Sequence, residues 1–254
     1  MFNLTHKVAV VTGGGSGIGR SVSILLAKQG ATVYVLDLNS ENANAVVDEI
    51  LNAGGKAEAL ICNVAEQQEV FEVFRSVGKV NILVNNAGIP HIGTLETTTE
   101  ADFDKIVQVN IKGVYNCLFS AVPVMKANGG GVIINMSSIA AIVGISNRFA
   151  YSMSKGAVAA MTLSIARDYL QYNIRCNSVS PARVHTPFVD NFIAKNYPGK
   201  EQEMFETLSK SQPIGRMAAP EEIAGLVLYL CSDEASFITG TDYAIDGGFV
   251  KLNN

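Results

Sequence analysis

Three side chains in the second half of the chain have the types and spacing needed to move a proton to or from an alcohol. Tyr151 and Lys155 are four residues apart, and Ser138 precedes Tyr151 by thirteen. Residues four apart lie on one face of a helix. A phenol titrates near pH 10, so a pKa of about 7 requires roughly 4 kcal/mol of preference for the phenolate. One cation supplies about 1 to 3 pKa units, so Lys155 alone is borderline and a second positive charge is expected. The same spacing also occurs in ordinary surface pairs, so the catalytic interpretation depends on the motifs in the rest of the chain.

A glycine-rich segment near the N-terminus has the context of a phosphate-binding turn. The apolar run from Lys7 to Thr12 is typical of a buried parallel strand, and a helical spacing of apolar residues starts at Ile18. Between them lie the glycines of Gly13 to Gly19. Glycines in this order of strand, turn and helix let the backbone approach a pyrophosphate at the positive end of the helix. The segment therefore predicts a dinucleotide site and not a linker.

The second strand, from Thr32 to Asp37, ends in a carboxylate 18 residues after Gly19. An acid at this place accepts hydrogen bonds from the adenosine ribose and repels a 2′-phosphate, which favours NAD over NADP. No Arg or Lys lies among the glycines or at Leu38 to bind a phosphate instead. Alternatively the carboxylate caps the following helix, although Ser40 competes for that role.

Apolar strands alternate with helical stretches along the whole chain. Further strands are predicted at 57–62, 82–85, 131–136, 174–179 and 242–245. The alternation predicts one α/β domain over residues 1–254, built on a doubly wound sheet of seven parallel strands flanked by helices. No strand is predicted from about 186 to 212. Because a long excursion of this kind is often a lid, we expect it to cover the substrate.

Taken in order, these motifs resemble the short-chain dehydrogenase/reductase family over nearly the whole chain. The resemblance is carried by Thr12 to Gly19, Asn85 to Gly88, Asn110, Ser138, Tyr151, Lys155, Ser180-Pro181, Thr186 and Asp246 to Gly248. It implies a Rossmann-like fold, an NAD-dependent oxidoreductase and a homotetramer. Small residues on the helix after Tyr151 would allow close contact with a partner subunit or burial within one subunit.

The resemblance also implies a role for each residue of the catalytic set. Tyr151 would be the acid/base, and Ser138 would orient the substrate oxygen. Lys155 would bind the nicotinamide ribose and lower the pKa of the tyrosine, while Asn110 would hold a water in a proton relay. The oxidised nicotinamide would supply the second positive charge, so the base is expected to be fully activated only in the cofactor complex.

Cofactor contacts are expected from residues of six segments. They are Gly13, Gly15, Ser16, Gly17, Ile18, Gly19, Asp37, Leu38, Asn63, Val64, Asn86, Ala87, Gly88, Tyr151, Lys155, Pro181, Val184 and Thr186. Asn63 stands where the family usually has Asp, and its amide oxygen can still accept a hydrogen bond from the adenine amino group.

The substrate residues are less determined by the pattern. Ala182 replaces a common family glycine and is followed by Arg183. Arg183 can fork onto a substrate carboxylate, or it pairs with a helix C-terminus or a neighbouring acid. Arg148 is a second candidate of the same kind. These cations favour a sugar, polyol or sugar acid over a steroid.

A 3-oxoacyl-thioester reductase is an alternative function, against which Asp37 argues. A catalytically silent NAD-binding partner protein is another, and it would have no need of the complete catalytic set.

Composition excludes several other classes of protein. The net charge of −4 and the pI near 5.4 argue against nucleic-acid binding. No apolar run reaches about 18 residues and the N-terminus has no signal-peptide pattern, so a cytoplasmic protein is expected. The four cysteines lie far apart without a CxxC pair. They are predicted to be reduced packing residues, and no metal site is suggested.

Overall fold

The computed structural model describes residues 1–252, except for the side chains at 188 and 196. The strands are β1 (Val8–Thr12), β2 (Thr32–Asp37), β3 (Lys56–Ile61), β4 (Ile82–Asn85), β5 (Gly131–Met136), β6 (Ile174–Pro181) and β7 (Asp242–Ile245). The helices are α1 (Gly17–Lys28), α2 (Ser40–Asn52), α3 (Gln67–Val77), α4 (Glu100–Ile106), α5 (Gly113–Ala127), α6 (Phe149–Asp168), α7 (Pro187–Asn196), α8 (Glu201–Lys210), α9 (Pro220–Cys231) and α10 (Phe249–Leu252). A π-helix (Val107–Lys112) joins α4 to α5, and three 3₁₀ turns lie at Ile139–Ala141, Leu170–Tyr172 and Asp233–Ala235.

The strands form one sheet in the order β3-β2-β1-β4-β5-β6-β7, and every neighbouring pair is parallel. Side chains alternate between its two faces, so Val11 packs against α1, α2 and α9 while Val10 packs against α3, α5 and α6. Strands covered on both sides need apolar residues at nearly every position, which is why β1 and β4 are continuous apolar runs. The predicted α/β fold with seven parallel strands is confirmed.

The strand order changes direction between β1 and β4. Chain connections therefore leave these two neighbours toward opposite faces, which opens a crevice at their carboxyl ends. Thr12 and Asn85 are paired across this point. The loops that follow them carry the two motifs from which the cofactor site is predicted.

Three strands have bounds that differ from the predicted ones. β1 begins at Val8 and not at Lys7. β3 covers Lys56–Ile61 because it stays in register with β2, where Ile61 pairs with Asp37. Cys62 still donates its N–H to the Asp37 carbonyl at 3.1 Å, although the strand has ended. β6 continues to Pro181, which pairs with Ile245 of β7, so it brings Pro181 to the same edge of the sheet.

The segment after β6 contains α7 and α8, and its two ends lie side by side. Val184 and Ala218 form an isolated parallel bridge. The Ala218 N–H donates to the Arg183 carbonyl at 2.9 Å, and the His185 N–H donates to the Ala218 carbonyl at 2.8 Å. We call residues 185–217 the excursion. As expected from the sequence, the described part of it has no strand.

The remaining features bear on what kind of protein this is. Within the described residues, no helix has the length and apolar character needed to cross a membrane. No group of three or more His, Cys, Asp or Glu residues in residues 1–252 is arranged to hold a metal ion. All four cysteines are free and buried, as predicted.

Candidate active site

The glycine-rich turn after β1 has a backbone that favours glycine at several positions. Gly13 and Gly17 have φ angles of +60° and +51°, in the left-handed region. A Cβ on Gly19 would overlap the carbonyl oxygen of Gly13. Ser16, which precedes α1, makes no side-chain cap hydrogen bond, and the first turn of α1 contains no acid. The amide groups at the start of this helix are therefore free of a competing carboxylate, which fits the binding of a pyrophosphate.

The carboxylate of Asp37 holds this turn against the end of β2. Its Oδ2 accepts the Gly15 N–H at 2.9 Å, and its Oδ1 accepts the Asn39 N–H at 3.0 Å. Asp37 or Ser40 was expected to cap α2, and neither residue does. Ser40 is already helical, and Asn39 is the cap, accepting the Asn42 N–H at 3.0 Å. Asp37 is thus left beside the glycine turn.

Thr12 and Asn86 join the loops after β1 and β4. The Thr12 hydroxyl accepts the N–H groups of Asn86 and Ala87, each at 3.0 Å. The Asn86 amide donates back to the carbonyls of Thr12 and Gly13, each at 3.1 Å. These four bonds fix the bottom of the crevice. The hydrogen bonds of the Thr12 side chain were missed from the sequence, where Thr12 is the end of the strand and the first residue of the glycine motif.

Close approaches bring distant predicted residues into the same crevice. A Cβ built on Gly17 would lie 3.4 Å from Thr186 Cγ2, so the start of the excursion touches the glycine turn. A Cβ built on Gly88 would lie 3.3 Å from Asn110 Oδ1 and 3.6 Å from Lys155 Nζ. The cofactor and catalytic sets predicted from the sequence are therefore adjacent along this edge of the sheet.

Lys155 is buried, with 6% of its surface exposed, beneath Tyr151 on α6. Its Nζ donates to the Met136 carbonyl at 2.7 Å and lies 5.7 Å from the centre of the Tyr151 ring. Burial lowers the pKa of Lys155 to about 8 because the charged form loses its water. The ammonium is thus anchored to the end of β5 with its charge only partly compensated.

Tyr151 lies near Ser138, which follows β5, and the hydroxyl of Ser138 favours the charged form of the phenol. Burial raises the pKa of Tyr151 above its ordinary value, while Ser138 and the charge of Arg148 act in the opposite direction. The phenol is therefore not activated by the protein alone. This direction agrees with the expectation that a further positive charge, from a bound cofactor, is needed; that expectation stays a prediction.

Asn110 lies in the π-helix and is held by three hydrogen bonds. Its Oδ1 accepts the Ile89 N–H at 2.8 Å, and its Nδ2 donates to the Ile89 carbonyl at 2.9 Å and to Ser154 Oγ at 3.1 Å. Both amide donors are used, so a relay water has to bond to the remaining oxygen lone pair or to the backbone. The water-binding role of Asn110 stays a prediction, and the anchoring of the loop after β4 is an addition to it.

Arg183 and Arg148 approach the crevice from different elements. Arg183 Nε donates to the hydroxyl of Ser211, the residue after α8, at 3.0 Å, so the expected contact with a helix C-terminus exists for one of its nitrogens. Arg148 Nη1 donates to the carbonyls of His91 and Asn147, at 3.3 and 3.5 Å. Neither guanidinium pairs with a carboxylate among the described residues, so the expected acid partner of Arg183 is not found.

His91 is a polar residue at the site that the sequence reasoning missed. Its side chain is 12% exposed, and its Nδ1 is buried without a hydrogen-bond partner among the residues described. The Gly93 N–H donates to the Asn147 carbonyl at 3.0 Å, and the Phe149 N–H donates to the Gly93 carbonyl at 3.1 Å. These bonds place the loop of His91 beside the start of α6. Its position three residues after Gly88, at the end of β4, was the available signal.

Other predicted cofactor residues lie at the same edge without contacting the catalytic group. Asn63 Oδ1 accepts the Ala65 N–H at 3.1 Å, and the Val64 carbonyl accepts from Asn116 Nδ2 at 2.8 Å. Leu38 is 71% exposed after β2. Ile18 lies in the first turn of α1, Pro181 ends β6 and Val184 forms the bridge with Ala218. Their contacts with a cofactor stay predictions.

Known proteins resemble this chain along nearly its whole length. Residues 13–250 match the family model described as Enoyl-(Acyl carrier protein) reductase. Cyclohexanol dehydrogenase of Acinetobacter sp. (strain SE19) is 40% identical over 253 residues, covering 97% of this chain and 96% of that protein. The 3-oxoacyl-[acyl-carrier-protein] reductase FabG of Thermotoga maritima is 38% identical over 251 residues, covering 97% and 99%. The crystal structure of L-sorbose reductase from Gluconobacter frateurii, complexed with NADPH and L-sorbose, has a TM-score of 0.94 at 28% identity and covers 98% of both chains.

Proposed function

We propose that this chain, which belongs to the short-chain dehydrogenase/reductase family, uses NAD to oxidise a small polar secondary alcohol or to reduce the corresponding ketone. Oxidoreductase activity on CH–OH groups follows from the family and from its relatives. The observation that carries the proposal is the group at the end of β5. Tyr151 lies near Ser138, and the ammonium of Lys155 is buried 5.7 Å from the centre of the Tyr151 ring.

The glycine turn and Asp37 fit a nicotinamide dinucleotide that lacks a 2′-phosphate. Gly13, Gly17 and Gly19 keep side chains out of the turn, and the start of α1 offers free amide groups. The carboxylate of Asp37 beside Gly15 would accept from the ribose hydroxyls and repel a phosphate there. When bound, the nicotinamide supplies the acceptor or donor of the hydride. Although the L-sorbose reductase was solved with NADPH, Asp37 supports NAD for this chain.

Proton transfer is assigned to the residues of the chain itself. When an alcohol is oxidised, its carbon gives up a hydride and its oxygen gives up a proton, and Tyr151 accepts the proton. Ser138 can accept or donate a hydrogen bond, so it can hold the substrate oxygen in either redox state. Lys155 offers a positive charge close to the phenol, which favours the phenolate. Asn110 keeps the loop after β4 in place and is the proposed start of the relay to solvent.

Reduction of a 3-oxoacyl thioester is the second candidate. It is favoured by the similarity to the 3-oxoacyl-[acyl-carrier-protein] reductase, and the carboxylate of Asp37 argues against the NADPH such enzymes usually need. A silent NAD-binding protein is disfavoured because the complete set of Asn110, Ser138, Tyr151 and Lys155 is present and close together.

We extend the proposal to a homotetramer in the cytoplasm. Tyr115 and Phe119 on α5 stack on each other at 5.8 Å and stay about half exposed, and Leu163 on α6 is 59% exposed. Exposed aromatic and aliphatic side chains on two neighbouring helices suit a subunit contact. The four reduced cysteines suit a reducing compartment.

The test is a screen for NAD reduction over cyclohexanol, polyols, aldoses, sugar acids and hydroxyacyl thioesters, followed by Tyr151→Phe. We expect NAD binding to persist in this variant while kcat falls by about 10² to 10⁴, the usual contribution of a general acid or base. Tyr172→Phe, which removes a phenol in the 3₁₀ turn after α6, is the matched control and should retain activity. Turnover retained in Tyr151→Phe would refute the assignment, and no turnover on any compound would favour the silent protein.

A further inference from the structure

Arg148 lies at the start of α6, three residues before Tyr151, and Arg183 follows β6; neither forms a salt bridge with a carboxylate among the described residues. The charge of Arg148 acts on Tyr151, and the charged neighbour that acts on Arg183 is Arg148 itself. Burial lowers the pKa of both guanidinium groups, and no carboxylate of the described residues counteracts this. Half-buried like charges are unfavourable in a protein unless something pairs with them.

Other arginines of the chain show what a structural role looks like. Arg175 donates to the carbonyls of Leu230, Ser232 and Ile238 at 2.8 to 3.2 Å, and Asp233 lies near enough to favour its charge. Arg216 forms a two-nitrogen fork on the carboxylate of Glu222, at 2.6 and 2.8 Å. A carboxylate thus acts on each of these two arginines, whereas none acts on Arg148 or Arg183.

Arg148 and Arg183 are nevertheless held in place. The hydroxyl of Ser211 accepts from Arg183 Nε and itself donates to the Leu208 carbonyl at 2.6 Å, which fixes the base of the guanidinium. Carbonyls of His91 and Asn147 hold Arg148 by Nη1. Neutral oxygens orient a guanidinium without neutralising it. The remaining nitrogens of both residues are without a partner among the described residues, so they are preorganised donors.

We propose that Arg148 and Arg183 form a carboxylate-binding subsite, and that the substrate is a hydroxy acid of the sugar-acid class, or its oxo form. Its carboxylate would lie between the two guanidinium groups while its secondary hydroxyl faces Ser138 and Tyr151. The planar donors of arginine match the two oxygens of a carboxylate. One anion would relieve the repulsion between two cations that come from different elements, the start of α6 and the loop after β6. This assignment rests on the proposed function, which supplies the reacting hydroxyl.

The test compares C4 to C6 aldonates with the alditols of the same carbon chain and configuration, which differ only in carboxylate against hydroxymethyl. Dissociation constants are measured by calorimetry on the Tyr151→Phe variant saturated with NAD, so that the ligand is not oxidised during the measurement. For at least one pair we expect the aldonate to bind about 30-fold or more tightly. Arg148→Gln and Arg183→Gln, each in this background, should reduce that ratio about tenfold, or roughly 1.4 kcal/mol. Arg75→Gln, which removes an exposed arginine on α3, should leave the ratio within about twofold.

Conservative variants keep the test decisive if a glutamine variant unfolds. Arg148→Lys and Arg183→Lys retain the charge and lose the planar fork, so they should bind aldonates with intermediate affinity. Equal binding of aldonate and alditol in every pair would overturn the subsite, as would a preference that survives both glutamine substitutions. Preference for a sugar phosphate and not for any aldonate would overturn the carboxylate assignment.

The binding assay also separates this inference from the proposed function. If alditols are oxidised and no anion preference exists, the subsite is wrong and the dehydrogenase assignment stands. If the anion preference exists and the wild-type protein oxidises none of the bound aldonates or their alditols, the subsite stands and the proposed reaction is wrong.

Discussion

Replacing Lys155 by Met should change how the stability of the cofactor-free protein depends on pH. Lys155 carries a charge at a buried position, and its pKa falls from 10.5 to about 8. Below pH 8 both the folded and the unfolded chain hold the proton, so the full penalty of the buried charge is present. As the pH rises through 8, the folded protein releases the proton before the unfolded chain does, and the penalty is removed. Stability contributed through this group therefore increases between pH 8 and 10.5.

The size of the effect follows from the two pKa values. Integrating the proton linkage for this one group gives about 2 kcal/mol of added stability in wild type between about pH 7 and 9.5. The upper limit is roughly 3 kcal/mol, for the whole shift at about 1.4 kcal/mol per pKa unit. Methionine has a similar length and does not titrate. Loss of the hydrogen bond to the Met136 carbonyl changes the stability of the variant by an amount that does not depend on pH.

The assay is denaturant unfolding followed by circular dichroism, without cofactor, at one protein concentration and at several pH values from 7 to 9.5. The measured quantity is the free energy of unfolding of Lys155→Met minus that of wild type. Burial raises the pKa values of the cysteines, so both proteins lose stability above about pH 9, and the difference removes this common effect. Lys210→Met on α8 is the matched surface substitution.

We expect the difference to fall by about 2 kcal/mol across this range. A difference that does not change with pH would show that Lys155 is not held as a destabilised cation. The reasoning that the ammonium of Lys155 is buried here at the expense of stability would then be wrong.

Three further outcomes are expected. Asp37→Ser should raise the ratio of NADP to NAD utilisation at least about tenfold, because the carboxylate beside Gly15 no longer repels a phosphate; an unchanged ratio would contradict this role of Asp37. Gly19→Ala should weaken NAD binding in a titration by more than about tenfold, since its Cβ overlaps the Gly13 carbonyl, whereas Gly225→Ala on α9, where a Cβ meets nothing within 4 Å, should bind normally. A thiol reagent at about pH 8 should label none of the four buried cysteines in the native protein and all four after unfolding, and rapid native labelling would mean that their burial is overestimated.

The sheet was predictable because a strand covered on both faces has to be apolar at almost every position. That rule located β1, β2, β4 and β5 at or within one residue of their observed bounds. Parallel topology then sends the ends of these strands to one edge, so Ser138 after β5 and Asp37 at the end of β2 had to share a crevice. Register and hydrogen bonding set the remaining bounds, as in the pairing of Ile61 with Asp37.

Features that depend on contacts between distant segments were not predictable. The bonds of Asn110 to Ile89 and Ser154 require the loop after β4 to fold back onto α6. The buried Nδ1 of His91 depends on the same fold. The choice of Asn39 as the cap of α2 rests on a one-residue difference that helix propensity does not resolve. Whether an acid pairs with Arg183 depends on how the excursion packs, and no such pair is found among the described residues.

The bridge between Val184 and Ala218 has a consequence for how proteins of this design can diverge. Because backbone hydrogen bonds already hold the two ends of the excursion side by side, the rest of the fold does not depend on the length of the 33 residues (185–217) between them. Doubling a loop adds only about 0.6 kcal/mol of closure cost. New versions of this segment can thus be inherited or grafted as a unit, leaving Ser138, Tyr151 and Lys155 untouched. Substrate contacts made by this segment could therefore change while Arg148 and Arg183, which lie outside it, stay in place beside the proposed site.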